Sequence, residues 1–279
     1  MTSSSMTYVP PQAFVQAVRV RSYEGGRDGA IGMGTVLRYL ESLATEASAA
    51  AGFDNAWYEQ RNVAWVVREM TVLLGARPGI GAELMLATWV SAFRRVQAQR
   101  EYAIWRPGEG HLVARASARW AYVDREIGQP VRVHDGILAQ VPVPGHRMPV
   151  RQLAELEPAA ESAHRTELPL TVRTYETDTR QHVNNCVYAD WLGEGLHGLL
   201  RAQQPALRPE HLAPRYYHIE YLRSVRAGDA VQVATHAVPR GDRGLSVQQD
   251  ITDTADGGVR VRARSEHLRL RDRSPSRPQ

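Results

Sequence analysis

The sequence predicts an α+β protein in which one unit, a sheet curled around a long helix, is used twice. Three observations predict it. Val20-Arg21-Ser22-Tyr23-Glu24 returns almost unchanged as Val172-Arg173-Thr174-Tyr175-Glu176, 152 positions on. Each copy is followed by one amphipathic helix, and each helix by short alternating segments separated by turns. A helix that precedes such an antiparallel meander buries its apolar stripe against it, so the strands wrap the helix.

The elements justify this in order. In the first copy Val36, Leu37, Leu40, Leu43 and Ala47 recur at three- and four-residue steps; in the second Val187, Tyr188, Trp191, Leu192 and Leu199 do so. Val67-Arg68-Glu69-Met70 is then echoed by His218-Ile219-Glu220-Tyr221, with Glu69 and Glu220 151 positions apart. Ala87-Thr88 is answered by Ala234-Thr235, and Ala114-Arg115-Ala116-Ser117 by Arg262-Ala263-Arg264-Ser265. Residues 83–90, 111–123, 230–237 and 258–270 alternate as strands, with turns at Arg77-Pro78-Gly79 and Ala227-Gly228-Asp229. The expected organisation is an N-terminal unit at 13–127, a connector at 128–167 rich in Pro, Ala and charge, and a C-terminal unit at 168–272. The first dozen residues and 272–279 are expected to be disordered.

Composition bounds the function. The 279 residues are 43% hydrophobic and 23% charged, an ordinary globular balance with room for a substantial core. All 34 basic residues are arginine, against 30 acidic ones, for a net charge of +4. That charge fits an acidic partner, such as a carrier protein or a phosphate-bearing cofactor. Nucleic acid is not expected, because the chain has no recognition helix, zinc spacing or aromatic-glycine RNA signature. The single cysteine, Cys186, excludes an intramolecular disulfide and fits a reducing compartment. MTSSSMTYVPPQ lacks the basic start and apolar run of a signal peptide, and no apolar run spans a bilayer. The expectation is therefore cytoplasmic, with no membrane partner. GxSxG, a phosphate loop, HExxH and paired CxxC are all missing, and neither metal nor cofactor is expected.

The chemistry concentrates in residues 175–191, YETDTRQHVNNCVYADW. Asp178 and His182 stand four residues apart, just before Asn184-Asn185 and the second helix. Two ionisable groups beside the free N–H groups of a helix start suit polarisation and hydrolysis of a carbonyl compound. Asp178 is the candidate base or nucleophile, and His182 the group that holds water or carbonyl, its tautomer fixed by Asp178. The backbone N–H groups of Asn184 and Asn185 are candidate oxyanion donors, aided by the helix dipole. Arg180 can bind an anionic group or hold Asp178 ionised. At the equivalent positions the first copy has Gly26 and Ala30, so one site per chain is expected.

Structural readings accompany these. Asp178 suits an Asx-turn and the Asn pair a helix cap. Cys186 reads as a buried, inert thiol. Glu220, echoed by Glu69 in the copy without the site, reads as part of a polar network. Arg260, Arg262 and Arg264 share one strand face, either a solvated face or a dock for an acidic carrier.

Asp178-x-x-x-His182-Val183-Asn184-Asn185 before the second helix, in a tandem of helix-wrapping units, resembles the acyl-ACP thioesterases of plants and bacteria. It is more distantly similar to 4-hydroxybenzoyl-CoA-type thioesterases. The stretch from His182 to Trp191, HVNNxxYxxW, is the most specific piece, and the likeness runs from about Val20 to Arg271. VRSYE, Trp65-Val66-Val67-Arg68 and Arg100-Glu101-Tyr102 carry it in the first copy. The resemblance implies a double hotdog that pairs as a pseudo-dimer within one chain. It implies an acyl pocket in the N-terminal half, catalytic groups in the C-terminal half, and hydrolysis of an acyl thioester of acyl carrier protein or coenzyme A. The family's Asp-x-Asn-x-His has Arg180 in its middle here, and Ser224-Val225 stand where the plant enzymes carry Glu-Cys. The resulting set is Asp178 and His182 as catalytic residues, with Arg180, Asn184, Asn185 and Ser224 as substrate-binding residues. The expected setting is fatty acid or specialised polyketide-type biosynthesis, and association of two chains is compatible with it. Two alternatives stay open at this level: another carrier-thioester enzyme on the same fold (dehydratase, acyltransferase or cyclase), or a non-catalytic acyl-binding or carrier-docking protein.

Overall fold

Ten strands form a single antiparallel sheet, and two apolar-striped helices pack against it in one core. The computed structural model describes residues 9–109, 111–150, 164–203, 211–241 and 244–270. The first unit contains β1 (Phe14–Arg19), α1 (Met33–Ala50), α2 (Asn55–Gln60), β2 (Val63–Leu74), β3 (Glu83–Arg94), β4 (Gln97–Trp105), β5 (Leu112–Asp124) and α3 (Asp135–Gln140). The second contains β6 (His164–Thr171), α4 (Val187–Gln203), β7 (Leu212–Tyr221), β8 (Ala230–Pro239), β9 (Gly244–Asp253) and β10 (Val259–Arg269).

The strand order is β1-β3-β4-β5-β2-β7-β10-β9-β8-β6. The order reads the same from either end when each strand is replaced by its repeat partner, which is the signature of a two-fold relation. The halves join where β2 pairs with β7, with Glu69 opposite Glu220. Those two residues are also repeat equivalents, so the two-fold passes between them. The two expected sheets are thus one continuous ten-stranded sheet, joined edge to edge.

Helix α1 forms because its apolar residues share one stripe and nothing interrupts the backbone ladder. Val36, Leu37, Leu40 and Leu43 are 0–2% exposed, and burying each contributes about 2 kcal/mol. The helix stops at Gly52, whose φ of 89° no β-branched residue adopts cheaply. There the Gly52 N–H donates to Ala49 O and the Phe53 N–H to Ser48 O, a Schellman closure. Helix α4 starts on a side-chain cap instead, with Asn184 Oδ1 accepting from the Cys186 N–H at 2.9 Å.

Three features differ from the sequence expectation. The chain at 128–150, read as connector, is in part folded onto the first unit: Val133 and Ile137 of the α3 region bury against Phe53 and Tyr122. Strand β6 begins at His164, so the second unit starts before 168. Strand β4 was not separately expected, because Arg100 occupies an inward position between Ala98 and Tyr102 and breaks the apolar alternation. Of the first dozen residues, expected to be disordered, 9–12 are ordered, with Val9 packed on the cluster around Trp89 and Pro10 O accepting from the Ala13 N–H. Residues 1–8, 272–279 and 151–163 of the connector lie outside the described residues.

Candidate active site

The same turn is built twice and armed once. In the second unit the Asp178 N–H donates to His182 O at 2.8 Å and the Gln181 N–H to Asp178 O at 2.9 Å. In the first unit Gly26 and Ala30, and Gly29 and Gly26, make the corresponding bonds, each at 2.9 Å. Gln181 takes φ 61° where the first copy has Gly29 at 74°, a conformation that costs a non-glycine residue about 1 kcal/mol or more. Upstream, Glu176 Oε2 accepts from the Arg173 N–H, and Glu24 Oε2 from the Arg21 N–H, both at 2.7 Å.

Asp178 holds its turn with both oxygens. Oδ1 accepts from the backbone N–H groups of Arg180 at 2.8 Å and His182 at 3.2 Å. Oδ2 faces the Arg180 guanidinium at 3.3 Å. The Asx-turn reading and the expected Arg180 ion pair are therefore both present. The His182 ring is half-buried and accepts or donates no hydrogen bond among the described residues. Burial moves its pKa below the ordinary 6.5; Asp178 opposes this, and Arg180 and Arg226 reinforce it. At neutral pH the imidazole is neutral and keeps one N–H donor.

The expected oxyanion pair is reduced to one. Asn184 N–H donates to Glu176 O at 2.9 Å and is unavailable to a substrate. Asn185 N–H has no acceptor among the described residues. The Asn184 side chain spans the two units: its Oδ1 caps α4, and its Nδ2 donates to Glu41 of α1 at 3.2 Å. Cys186 is buried, and burial together with Glu41 pushes its thiol up, which makes it inert as expected. Ser224 is exposed, next to Val225, whose carbonyl accepts from the Val183 N–H.

A cavity of about 400 Å3 lies under α1, bounded by the first-unit sheet and reaching Asp178, Thr179 and Arg180 of the second. His182, Asn184, Asn185 and Ser224 are not on its wall. It exists because of three small residues. Ala44, Ala47 and Ser48 line it, and 152 positions on, α4 carries Leu196, Leu199 and Leu200, which fill the equivalent space against Ala237, Leu245 and Val247. From Glu41 to Ala51 the cavity follows α1 for about 15 Å, at 1.5 Å rise per residue. At the Ser48 end, Ser48 Oγ and Tyr58 OH lie 2.8 Å apart, and Trp65 Nε1 donates to that hydroxyl. Arg100 also lines the cavity, its Nη1 3.4 Å from Thr88 Oγ1, and burial lowers its pKa.

These features meet two known family profiles. The acyl-ACP thioesterase N-terminal domain matches residues 11–141, and the thioesterase-like superfamily matches 172–275. The chain thus carries an acyl-ACP thioesterase N-terminal domain and a thioesterase-like domain in tandem, and is similar to acyl-ACP thioesterases. Its relatives include the chloroplastic acyl-[acyl-carrier-protein] hydrolase of Cuphea viscosissima, 26% identical over 91% of this chain and 62% of that protein. The chloroplastic palmitoyl-acyl carrier protein thioesterase of Cuphea hookeriana is 27% identical over 91% of this chain. This chain spans 62% and 61% of the length of those two relatives. The solved 12:0-ACP thioesterase of Umbellularia californica superposes with a TM-score of 0.75, at 19% identity, over 92% of this chain and 94% of its own. The shared fold is the double hotdog that the resemblance implies.

Sequence reasoning missed Glu41 and Arg100, and each carried a signal. Glu41 interrupts the stripe Leu37, Glu41, Ala44, Ser48 on the buried side of α1, and Arg100 interrupts the inward face of β4. Arg260, read as part of an exposed row, is instead buried and ion-paired to Asp253 and Asp256, at 2.7 and 2.8 Å. Arg262 in the same row donates to Asp250.

Proposed function

We propose that this protein hydrolyses an acyl thioester to the free acid, with acyl carrier protein as the preferred carrier and coenzyme A as the alternative. The observation that carries the reading is the cavity of the first unit, which ends against the Asp178–Arg180 turn of the second. An acyl chain lying along α1 would bring its thioester to that turn. There the neutral His182 ring and the Asn185 N–H can donate to the carbonyl oxygen as it gains charge. One such donor typically supplies about 3 kcal/mol of barrier lowering. Asp178, with its oxygens committed to the turn, holds the loop in shape and opposes the loss of His182 basicity. Arg180, beside the cavity, is placed to meet the anionic carrier.

Arg100 favours a second, finer reading of the acyl group. A guanidinium in the cavity wall, held to Thr88 and without an ion pair among the described residues, suits an oxygen-bearing, polyketide-type chain better than plain hydrocarbon. The single, buried Cys186 supports a reducing, cytoplasmic setting. No helix among the described residues is long and apolar enough to cross a membrane.

The test is thiol release from a panel of saturated and β-oxygenated acyl-ACP and acyl-CoA substrates. We expect wild type to release thiol, and His182→Ala to lose about 100-fold or more in kcat/KM. Asp178→Asn keeps an oxygen for the turn and loses the charge, with an expected loss of about tenfold or more. Turnover of acyl-ACP without free acid would point to a dehydratase or acyltransferase instead.

A further inference from the structure

The carboxylate of Glu41 belongs to the unit that lacks the Asp178–His182 pair, yet it sits against the unit that has it. Glu41 Oε1 accepts from Asn184 Nδ2 at 3.2 Å and Oε2 from Cys186 Sγ at 2.9 Å. Both partners lie just after His182, at the start of α4. Glu41 also lines the cavity, as do Asp178 and Arg180. It forms no ion pair among the described residues, although Arg38 stands one turn away on the same helix. Two neutral donors orient it without neutralising it. The charge reaches further: with burial, it pushes up the Tyr102 hydroxyl of β4 and the Tyr221 hydroxyl of β7.

Position 41 is also where the two-fold is broken. The repeat equivalent is Gly193, which brings no side chain, and the carboxylate that lies near Gly34, the equivalent of Cys186, is that of Asp190, already ion-paired with Arg38. Only one of the two possible sites has a cavity, a histidine turn and an acid, and the acid and cavity come from the opposite unit to the turn.

We propose that Glu41 is a catalytic residue of the hydrolase, the base that activates water; this rests on the thioesterase reading above. Glu41 takes one proton from water as the water oxygen bonds to the thioester carbonyl carbon. His182 and Asn185 N–H hold the resulting oxyanion. The intermediate collapses, the C–S bond breaks with its electron pair on sulfur, and Glu41 returns the proton to that sulfur. One thioester and one water thus yield one carboxylic acid and one thiol. Asp178 is ion-paired to Arg180 and its Oδ1 holds two backbone N–H groups of its own turn, whereas both donors to Glu41 are neutral.

The test compares wild type with Glu41→Gln on the same acyl-ACP substrates, reading kcat and KM separately. Binding of a free fatty acid, followed by the fluorescence of Trp65 and Trp120 in the cavity wall, reports whether the cavity is intact. Glutamine can still accept from Asn184, so a structural role predicts near-normal kcat. The proposal predicts a kcat loss of about 100-fold or more with KM and fatty acid binding little changed. Glu41→Gln retaining more than a third of wild-type kcat would overturn it and leave the thioesterase reading intact. Wild type that releases no thiol would sink both. Should Glu41→Gln not fold, Glu41→Asp withdraws the charge by one methylene. A folded Glu41→Asp with wild-type kcat overturns the proposal, and a loss of about tenfold or more supports it.

Discussion

Arg38 and Asp190 occupy the same place in the two copies, 152 positions apart, and pair with each other where α1 and α4 cross. Arg38 Nη1 and Nη2 donate to the two Asp190 oxygens at 3.3 and 2.5 Å. With Glu69 opposite Glu220 in the sheet, the pair marks the two-fold at both layers of the molecule. Opposite charge has been written into one position of a duplicated helix, so the crossing is attractive where two identical copies would repel.

Gly34 makes that crossing possible, because a Cβ there would overlap the Asp190 carboxylate and lie 2.9 Å from Arg38 Nη1. Two effects compete in Gly34→Ala. Alanine gains up to about 1 kcal/mol of helix propensity. The displaced ion pair, with side chains 50% and 45% exposed, is worth about 0–1 kcal/mol. We expect Gly34→Ala to be nearly neutral in wild type and stabilising by about 0.5–1 kcal/mol in an Asp190→Ala background. Urea denaturation of the four proteins in the cycle measures it, and equal effects in both backgrounds would refute the coupling.

The repeat itself designs a change of acyl preference. Ala47 faces the cavity, and its counterpart Leu199 is fully buried in the filled half. Ala47→Leu should shorten the longest acyl chain accepted while leaving kcat on short chains within about threefold. Stability should stay level or rise by about 0.5–2 kcal/mol, as for other cavity-filling changes. An unchanged chain-length profile on the acyl-ACP panel would mean the chain does not run along α1.

Acid lability should trace to His267. This ring is 6% exposed on β10, with Ser265 Oγ 2.9 Å from Nε2 and the Tyr217 ring against it. Burial, and then His197, push its pKa down to about 4. The unfolded chain therefore binds a proton near pH 6.5 that the folded chain refuses until about pH 4. Stability is fully present above pH 6.5 and falls as the pH drops through that window, by about 3 kcal/mol at 1.36 kcal/mol per unit. His267→Gln should flatten the loss between pH 6.5 and 4 in denaturation curves. A slope matching wild type would assign the lability elsewhere.

Much of this was legible along the chain. Local period marked α1 and α4, and the repeated VRSYE and RTYE segments announced the duplication. The Asp178–His182 turn could be placed before its helix, and the Gly26–Ala30 turn shows that the backbone geometry survives without the chemistry. Local pattern also misled in places. Arg260, Arg262 and Arg264 alternate as an exposed row would, but Arg260 finds partners in Asp253 at the end of β9 and Asp256 in the turn that follows. Residues 128–150 are composed like a connector, yet α3 closes the first unit against Phe53.

The sequence by itself determined the repeat, the two buried helix faces, the antiparallel strands and the single armed turn, because each is a matter of period or near neighbours in the chain. Tertiary structure alone decided that β2 and β7 fuse two sheets into one, that the first half is hollow while leucines fill the second, and that Glu41 meets Asn184 across 143 positions. Those outcomes depend on which surfaces are pressed together once both units fold. Volume and charge complementarity between residues far apart in the chain leave no periodic trace in it.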